Sequence, residues 1–336
     1  MTLGLSVVIL AAVLQGIFLL PMVRARGWAW EHTWLAFSLT GMIALNWVFT
    51  LFTLPDPAAI YGSAPQQELV VLCGFGLCWG LGAILFGMGM DMIGLTLGYP
   101  LIMGLNASVG TFVPLLRLCG TSMFAGRRLL IAAGTAVAIA GISACSIAGA
   151  RRESHAHQAQ TAARSRFVTG LIIAVASGFL SCLPNIGLTY GTNTLKAAHD
   201  LGASAALAGN AVWFIFFTCG GIVNVLYCFL RMVRRKNLSV LFARSHLANW
   251  GWILAMGAMW IGSFYLYGTG AAQLGAEGGT IGWPIFVSLS IAVGVLCGMG
   301  KGEWSQAPLK AKTLLWEGLA LLILAVLIIP FGTASQ

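Results

Sequence analysis

The residues of this 336-residue chain that could do chemistry lie inside or beside long apolar runs. Amides and hydroxyls occur at Gln15, Asn46, Asn106, Thr111, Asn185, Thr189, Asn210 and Asn224. Aromatic rings stand near them at Trp79, Tyr99, Tyr190, Trp213, Trp260, Tyr267 and Trp283. A polar group taken out of water must be paired by a neighbour or by a ligand. This set therefore predicts helix-to-helix hydrogen bonds, or recognition of a small polar solute beside an aromatic face. Groups able to change charge are few. Asp91, Glu68 and Glu317 lie near the ends of apolar runs, and Lys196, His199 and Asp200 follow one of them. His199 titrates nearest neutrality, and Lys196, three residues earlier, would share its face on a helix. The sequence holds no Gly-x-x-x-x-Gly-Lys-Ser/Thr loop, no His-Glu-x-x-His and no Ser/Lys or Cys/His arrangement. No catalytic residue, cofactor or metal site is assigned, and His155 and His157 read as part of a basic loop. The eight cysteines form no Cys-x-x-Cys and sit almost entirely in apolar runs, as small packing residues do.

Composition dictates the elements that must carry these residues. Apolar residues make up 59% of the chain and charged residues only 8%, whereas a soluble domain carries roughly a quarter charged residues. A soluble enzyme, a disordered chain, collagen and a coiled coil are excluded. A bilayer core takes ~20 apolar residues per helix, and ten runs meet that length, near 3–23, 33–54, 68–90, 94–116, 128–148, 167–189, 206–229, 249–270, 282–300 and 313–332. The first lacks a basic leader segment and reads as a span rather than a signal peptide. The net charge of +9 is read as loop charge, not as a nucleic-acid footprint. Arg24, Arg26, Arg151, Arg152, Arg164, Arg166, Arg231, Arg234, Arg235, Lys236, Arg244, Lys301, Lys310 and Lys312 fall in one set of alternate loops. Only Arg117, Arg127, Arg128 and Lys196 fall in the other. The first set is predicted cytoplasmic, which puts both termini on the outer, periplasmic side.

An internal repeat relates the two halves. Trp79, Phe86, Gly87, Gly89, Ile93 and Gly94 share their spacing with Trp260, Tyr267, Gly268, Gly270, Leu274 and Gly275. After a three-residue insertion, the segment from Gly98 to Gly110 parallels that from Gly282 to Gly294, with Pro100 opposite Pro284. The register continues through Arg117 and Lys301, Arg128 and Lys312, and Gly134 and Gly318. A unit of five helices is odd, so the second copy must be inverted in the membrane. The expected fold is all-α and polytopic: ten transmembrane helices as two inverted five-helix repeats, residues 1–148 and 167–336, joined by a basic cytoplasmic linker at 149–166. Inverted repeats offer two near-equal conformations, each open to one side, and so favour a carrier. Pro184-Asn185 is expected to interrupt the sixth span.

Short motifs resemble those of the L-rhamnose–proton symporters of the drug/metabolite transporter superfamily. They are Trp28-x-Trp30-Glu31-x-x-Trp34; Phe75 to Gly82, continuing through Gly87, Met90, Gly94 and Gly98 to Gly110-Thr111-x-x-Pro114; and Asn193-x-x-Lys196-x-x-His199-Asp200. They continue as Gly220, Gly221 and Asn224, then Cys228-Phe229-x-Arg231, Asn237-Leu238-Ser239, and Gly302-Glu303-Trp304 after Lys301. The loop 151–166 and the stretch 181–191 depart from the pattern. The resemblance implies import of a small sugar with protons across the bacterial inner membrane by a multi-pass chain whose partners are the solute, protons and the bilayer. No oligomer is indicated. Alternatives are a metabolite exporter or exchanger of the same superfamily, and a membrane-embedded transferase. A sugar needs an aromatic face for its C–H surface and amides for its hydroxyls. The substrate candidates are Gln15, Trp79, Asn106, Asn185, Tyr190, Trp213, Trp260 and Tyr267. The proton-coupling candidates are Asp91, Lys196, His199 and Glu317.

Overall fold

A computed structural model describes residues 2–120, 126–156, 164–300, 302 and 304–332. Among them there are thirteen α-helices and no strand. In chain order they are α1 (Thr2–Ile17), α2 (Trp30–Phe37), α3 (Asn46–Thr53), α4 (Pro57–Ser63), α5 (Gln66–Cys119), α6 (Leu129–Ala156) and α7 (Arg164–Ser181). Then come α8 (Leu183–Tyr190), α9 (Thr192–Asp200), α10 (Asn210–Arg235), α11 (Leu247–Gln273), α12 (Gly278–Gly300) and α13 (Leu309–Ile328).

The element boundaries have local causes. The second expected span is α2 and α3 joined by a π-helical stretch, Ser38–Leu45. Short α4 starts at Pro57, with Asp56 accepting the Ala59 N–H at 3.0 Å, a standard N-cap. The sixth expected span divides at Cys182 into α7 and α8, two residues before Pro184, as the proline predicts. The α10 helix ends at Lys236, whose φ of 54° supplies a left-handed cap. The expected third and fourth spans lie in one element, α5. Their three-residue link carries no proline before Pro100, so backbone hydrogen bonding continues. The stretches 66–89 and 101–118 are each long and apolar enough to cross a bilayer.

Nine such stretches occur among the described residues, where ten were expected. The difference is α11. It is 27 residues long, but Trp250, Trp252, Trp260, Tyr265 and Tyr267 lower its mean hydropathy. Its residues Ile253, Met256 and Ile261 are fully buried. The chain is a multi-pass, all-helical membrane protein.

Two compact units result, and each takes helices from both halves of the sequence. The first unit comprises Thr2–Leu81 and Gly187–Gln273, and the second Gly82–Ile186 and Leu274–Gln336. In the first unit, glycine lets backbones meet. A Cβ on Gly257 of α11 would lie 2.9 Å from the Gly41 Cα in the π-helical stretch, and a Cβ on Gly80 of α5 would lie 2.5 Å from the Gly220 carbonyl of α10. In a membrane, where lipid is as apolar as leucine, such close van der Waals contact supplies much of the helix association. The second unit uses the same device between α6 and α13, at Gly141 and Gly318.

Candidate functional site

Four of the predicted substrate residues meet in one aromatic cluster in the first unit. Trp79 of α5 and Trp260 of α11 stack with ring centroids 5.8 Å apart and planes 22° from parallel. Phe217 of α10 lies edge-on to both, 5.3 Å from Trp79 and 4.8 Å from Trp260. Trp213 stacks on Phe217 at 5.3 Å and lies 6.5 Å from Tyr267. Phe264 and Phe37 complete the contacts to Trp260, at 5.2 and 5.3 Å. Trp213 and Tyr267 are fully buried. Offset and edge-to-face pairs of this kind contribute about 0.5–1.5 kcal/mol each beyond their buried area. The phenylalanines were not among the residues expected from sequence, although Phe216 and Phe217 follow Trp213 at helical spacing and Phe264 follows Trp260 by four.

Polar groups border this cluster. Ser263 donates to Gln15 Oε1 at 2.7 Å, which brings the predicted Gln15 beside the α11 face that carries Trp260. Asn210 donates to Thr53 at 2.9 Å, while its Oδ1 and the Trp213 Nε1 have no partner among the described residues. These two atoms belong to side chains three residues apart on α10, one an acceptor and the other a donor. A buried group left unpaired costs about 1–3 kcal/mol. Tyr190 is separate from the cluster: half-buried, it packs edge-on against Phe75 at 5.8 Å.

Asn106 and Asn185 belong to the second unit, and their surroundings differ. Asn185 is fully buried, and its amide donates to the carbonyls of Gly110 (2.7 Å) and Gly279 (2.9 Å). It is a bolt between α8, α5 and α12. Trp283 donates its Nε1 to the Asn106 backbone carbonyl at 3.2 Å, but the Asn106 Oδ1 has no partner among the described residues.

The family-like motifs around Trp34, Gly80, Asn224, Arg231 and Asn237 meet within the first unit. Trp34 Nε1 donates to Asn224 Oδ1 at 2.9 Å, and Asn224 donates in turn to the Gly80 carbonyl at 3.1 Å. Glu31, only 3% exposed, accepts from Arg235 at 2.6 Å and lies 3.9 Å from Arg231. His32 Nδ1 accepts the Ala29 N–H at 3.1 Å, so its Nε2 donates to the Asn237 carbonyl at 3.0 Å. Segments some 200 residues apart in sequence thus form one hydrogen-bonded junction of α2 with the C-terminal end of α10.

Three of the four proton-coupling candidates, Lys196, His199 and Glu317, are exposed. Lys196 and His199 are exposed on α9, and Lys196 pairs with Asp200. Glu317 is exposed on α13, and Lys312, on the same helix, donates to the Ser305 carbonyl. Asp91 lies in α5, and its side chain falls outside the described residues. The buried carboxylates among the described residues are Glu31 and Glu68. Glu68 accepts from the Asn193 N–H (3.3 Å) and Nδ2 (2.9 Å), and from the Thr194 N–H and Oγ1 (both 2.7 Å). It caps α9 from a different helix, where a negative charge meets unpaired N–H groups and the positive end of the helix dipole. Position alone hid it: a glutamate at the start of an apolar run reads as interfacial.

The profile of the L-rhamnose-proton symport protein (RhaT) family matches residues 1–335. Proteins named L-rhamnose-proton symporter are similar over most of their length. The Cronobacter sakazakii protein is 28% identical over 352 aligned positions, covering 100% of this chain and 99% of its own. The Citrobacter koseri protein is 27% identical, covering 99% and 98%. The Yersinia pestis protein is 29% identical, covering 95% and 94%. A solved crystal structure aligns with a TM-score of 0.52 at 16% identity, over 97% of this chain and 98% of its own, a likeness that shows the fold alone. The chain belongs to the L-rhamnose-proton symport protein family, a family of transporters rather than enzymes.

Proposed function

We propose that this protein imports L-rhamnose, or a closely related deoxy-sugar, together with protons across the bacterial inner membrane. It does so by alternating access between two inverted five-helix repeats, residues 1–148 and 167–336, with both termini periplasmic. The observation that carries this reading is the family match over residues 1–335.

The geometry supports it in two ways. Repeat-related residues meet their neighbours in related ways. Trp79 stacks on its counterpart Trp260. Gly89 packs against Ala174 of α7, while its counterpart Gly270 packs against Gly4 and Val8 of α1. Those partners are the first helices of the opposite repeats. The aromatic cluster also has the chemistry a deoxy-sugar needs. The rings of Trp79, Trp213 and Trp260 take its C–H face, and Asn210 Oδ1 and Trp213 Nε1 take a hydroxyl. Gln15 and Tyr267 border that site. Asn185 is a structural bolt within the second unit.

The test is uptake of labelled L-rhamnose into proteoliposomes, against a panel of other deoxy-sugars, with an imposed pH gradient. Saturable uptake that exceeds equilibration only when the outside is acidic is expected. Saturable flux of no sugar overturns the reading.

A further inference from the structure

The contact between Glu68 and α9 has a repeat-related counterpart that differs from it in one chemical respect. Trp79 and Trp260 lie eleven residues beyond Glu68 and Asn249, so the register that aligns the tryptophans also aligns Glu68 with Asn249. Each is the third residue of its helix, α5 or α11. Each also holds the connection that leads into the second span of a repeat. Glu68 takes the Asn193 and Thr194 N–H groups at the start of α9. Asn249 takes the Arg26 N–H at 3.2 Å and donates to the Arg26 carbonyl at 2.9 Å. The same position ties the same kind of segment in both halves, once through a carboxylate and once through an amide that does not titrate.

The carboxylate is matched to its partners only when ionised. All four atoms facing it are N–H or O–H donors. A protonated carboxyl would turn one acceptor oxygen into a donor aimed at other donors. Other charged or titratable groups on the packed elements are engaged elsewhere or exposed. On α9, Lys196 pairs with Asp200 and His199 is exposed. On α4, Asp56 caps its own helix and Tyr61 donates to the Ala211 carbonyl at 3.0 Å. On α8, Tyr190 packs on Phe75. The first turns of α5 and α10 carry no further charged residue. Among the described residues, Glu68 has no cationic partner, so its charge is held by hydrogen bonds alone.

We propose that Glu68 is the residue through which proton binding is coupled to conformation: ionised, it locks the start of α9 against α5; protonated, it releases it. This rests on the sugar–proton symport reading and on its topology, which puts α9 on the outer side. Docking favours the ionised form, so by linkage proton uptake favours release, and the released fraction rises as outside pH falls. The counterpart at Asn249 is insensitive to pH. The pH response therefore belongs to the Glu68 contact and not to its counterpart.

The experiment compares wild type, Glu68→Gln and Glu68→Asp in proteoliposomes. It measures L-rhamnose counterflow at equal pH and net accumulation under an acid-outside gradient. Glu68→Gln is expected to lose gradient-driven accumulation and the pH dependence of flux while counterflow persists; Glu68→Asp is expected to keep the gradient response. Wild-type-like accumulation in Glu68→Gln overturns the coupling role. A wild type that transports rhamnose but ignores the gradient instead overturns the symport reading. A second measurement on the unmodified protein needs no variant to fold: hydrogen–deuterium exchange of the segment 192–200, corrected for intrinsic rates. Its protection should fall on acidification, and protection independent of pH overturns the latch.

Discussion

Trp79 and Trp260, counterparts in the two sequence repeats, stack directly on one another, 5.8 Å apart and 22° from parallel. Contact between equivalent residues is what the proposed two-fold relation between inverted halves would produce at its axis. Trp79→Ala and Trp260→Ala should each raise the KM for L-rhamnose about tenfold, equivalent to ~1.4 kcal/mol, and Trp→Phe at either position by less. Initial uptake rates in proteoliposomes, normalised to inserted protein, measure this. An unchanged KM in both alanine variants would make the pair a packing contact only.

Glycine at position 257 is predicted to be irreplaceable where a nearby glycine is not. A Cβ at 257 would stand 2.9 Å from the Gly41 Cα, whereas a Cβ at Gly262, on the same helix, would meet nothing within 4 Å. Overpacking of this kind costs about 1–3 kcal/mol, while alanine for glycine in a helix gains about 0.5–1 kcal/mol. Gly257→Ala should therefore lower the thermal unfolding midpoint in detergent, and Gly262→Ala should leave it level or raise it.

The Glu31–Arg235 pair should respond asymmetrically to substitution. Glu31 is 3% exposed and the Arg235 side chain 51% exposed. Removing the arginine strands a buried carboxylate, with Arg231 at 3.9 Å as its remaining cation; neutralising the glutamate leaves an arginine that water can solvate. Thermal midpoints should fall further for Arg235→Ala than for Glu31→Gln, and the double variant should fall by less than the two losses added.

Two asparagines of the second unit differ in what their side chains hold. Asn185 donates two buried hydrogen bonds to backbone carbonyls of other helices, whereas Asn106 Oδ1 has no partner among the described residues. Asn185→Ala is expected to lower the thermal midpoint, with folded protein keeping a normal KM. Asn106→Ala, which gives up no hydrogen bond from that oxygen, is expected to leave the midpoint nearly unchanged.

Helix length and apolarity are local properties, and the features that depend on them were legible in the sequence. The helical class, the break before Pro184 and the grouping of Trp79, Trp213, Trp260 and Tyr267 were all readable. So was the Trp28-x-Trp30-Glu31-x-x-Trp34 motif, although its function was not, because Glu31 meets Arg235 across a separation in sequence that spacing cannot reveal. The same limit hid Glu68. Its environment is made by Asn193 and Thr194, and whether an acid at the start of an apolar run is solvated or capped depends on a helix from the other half of the chain. Lys196 and His199, selected for their intrinsic titration, stand on the exposed face of that same α9.

In the proposed mechanism, sugar movement and proton movement are one event. The most direct test uses the wild-type protein in sealed proteoliposomes at low buffering capacity, with internal pH recorded while L-rhamnose is added outside at zero membrane potential. Rhamnose should acidify the interior, with a saturable rate that matches labelled sugar entry. Sugar entry without any change in internal pH would contradict the mechanism.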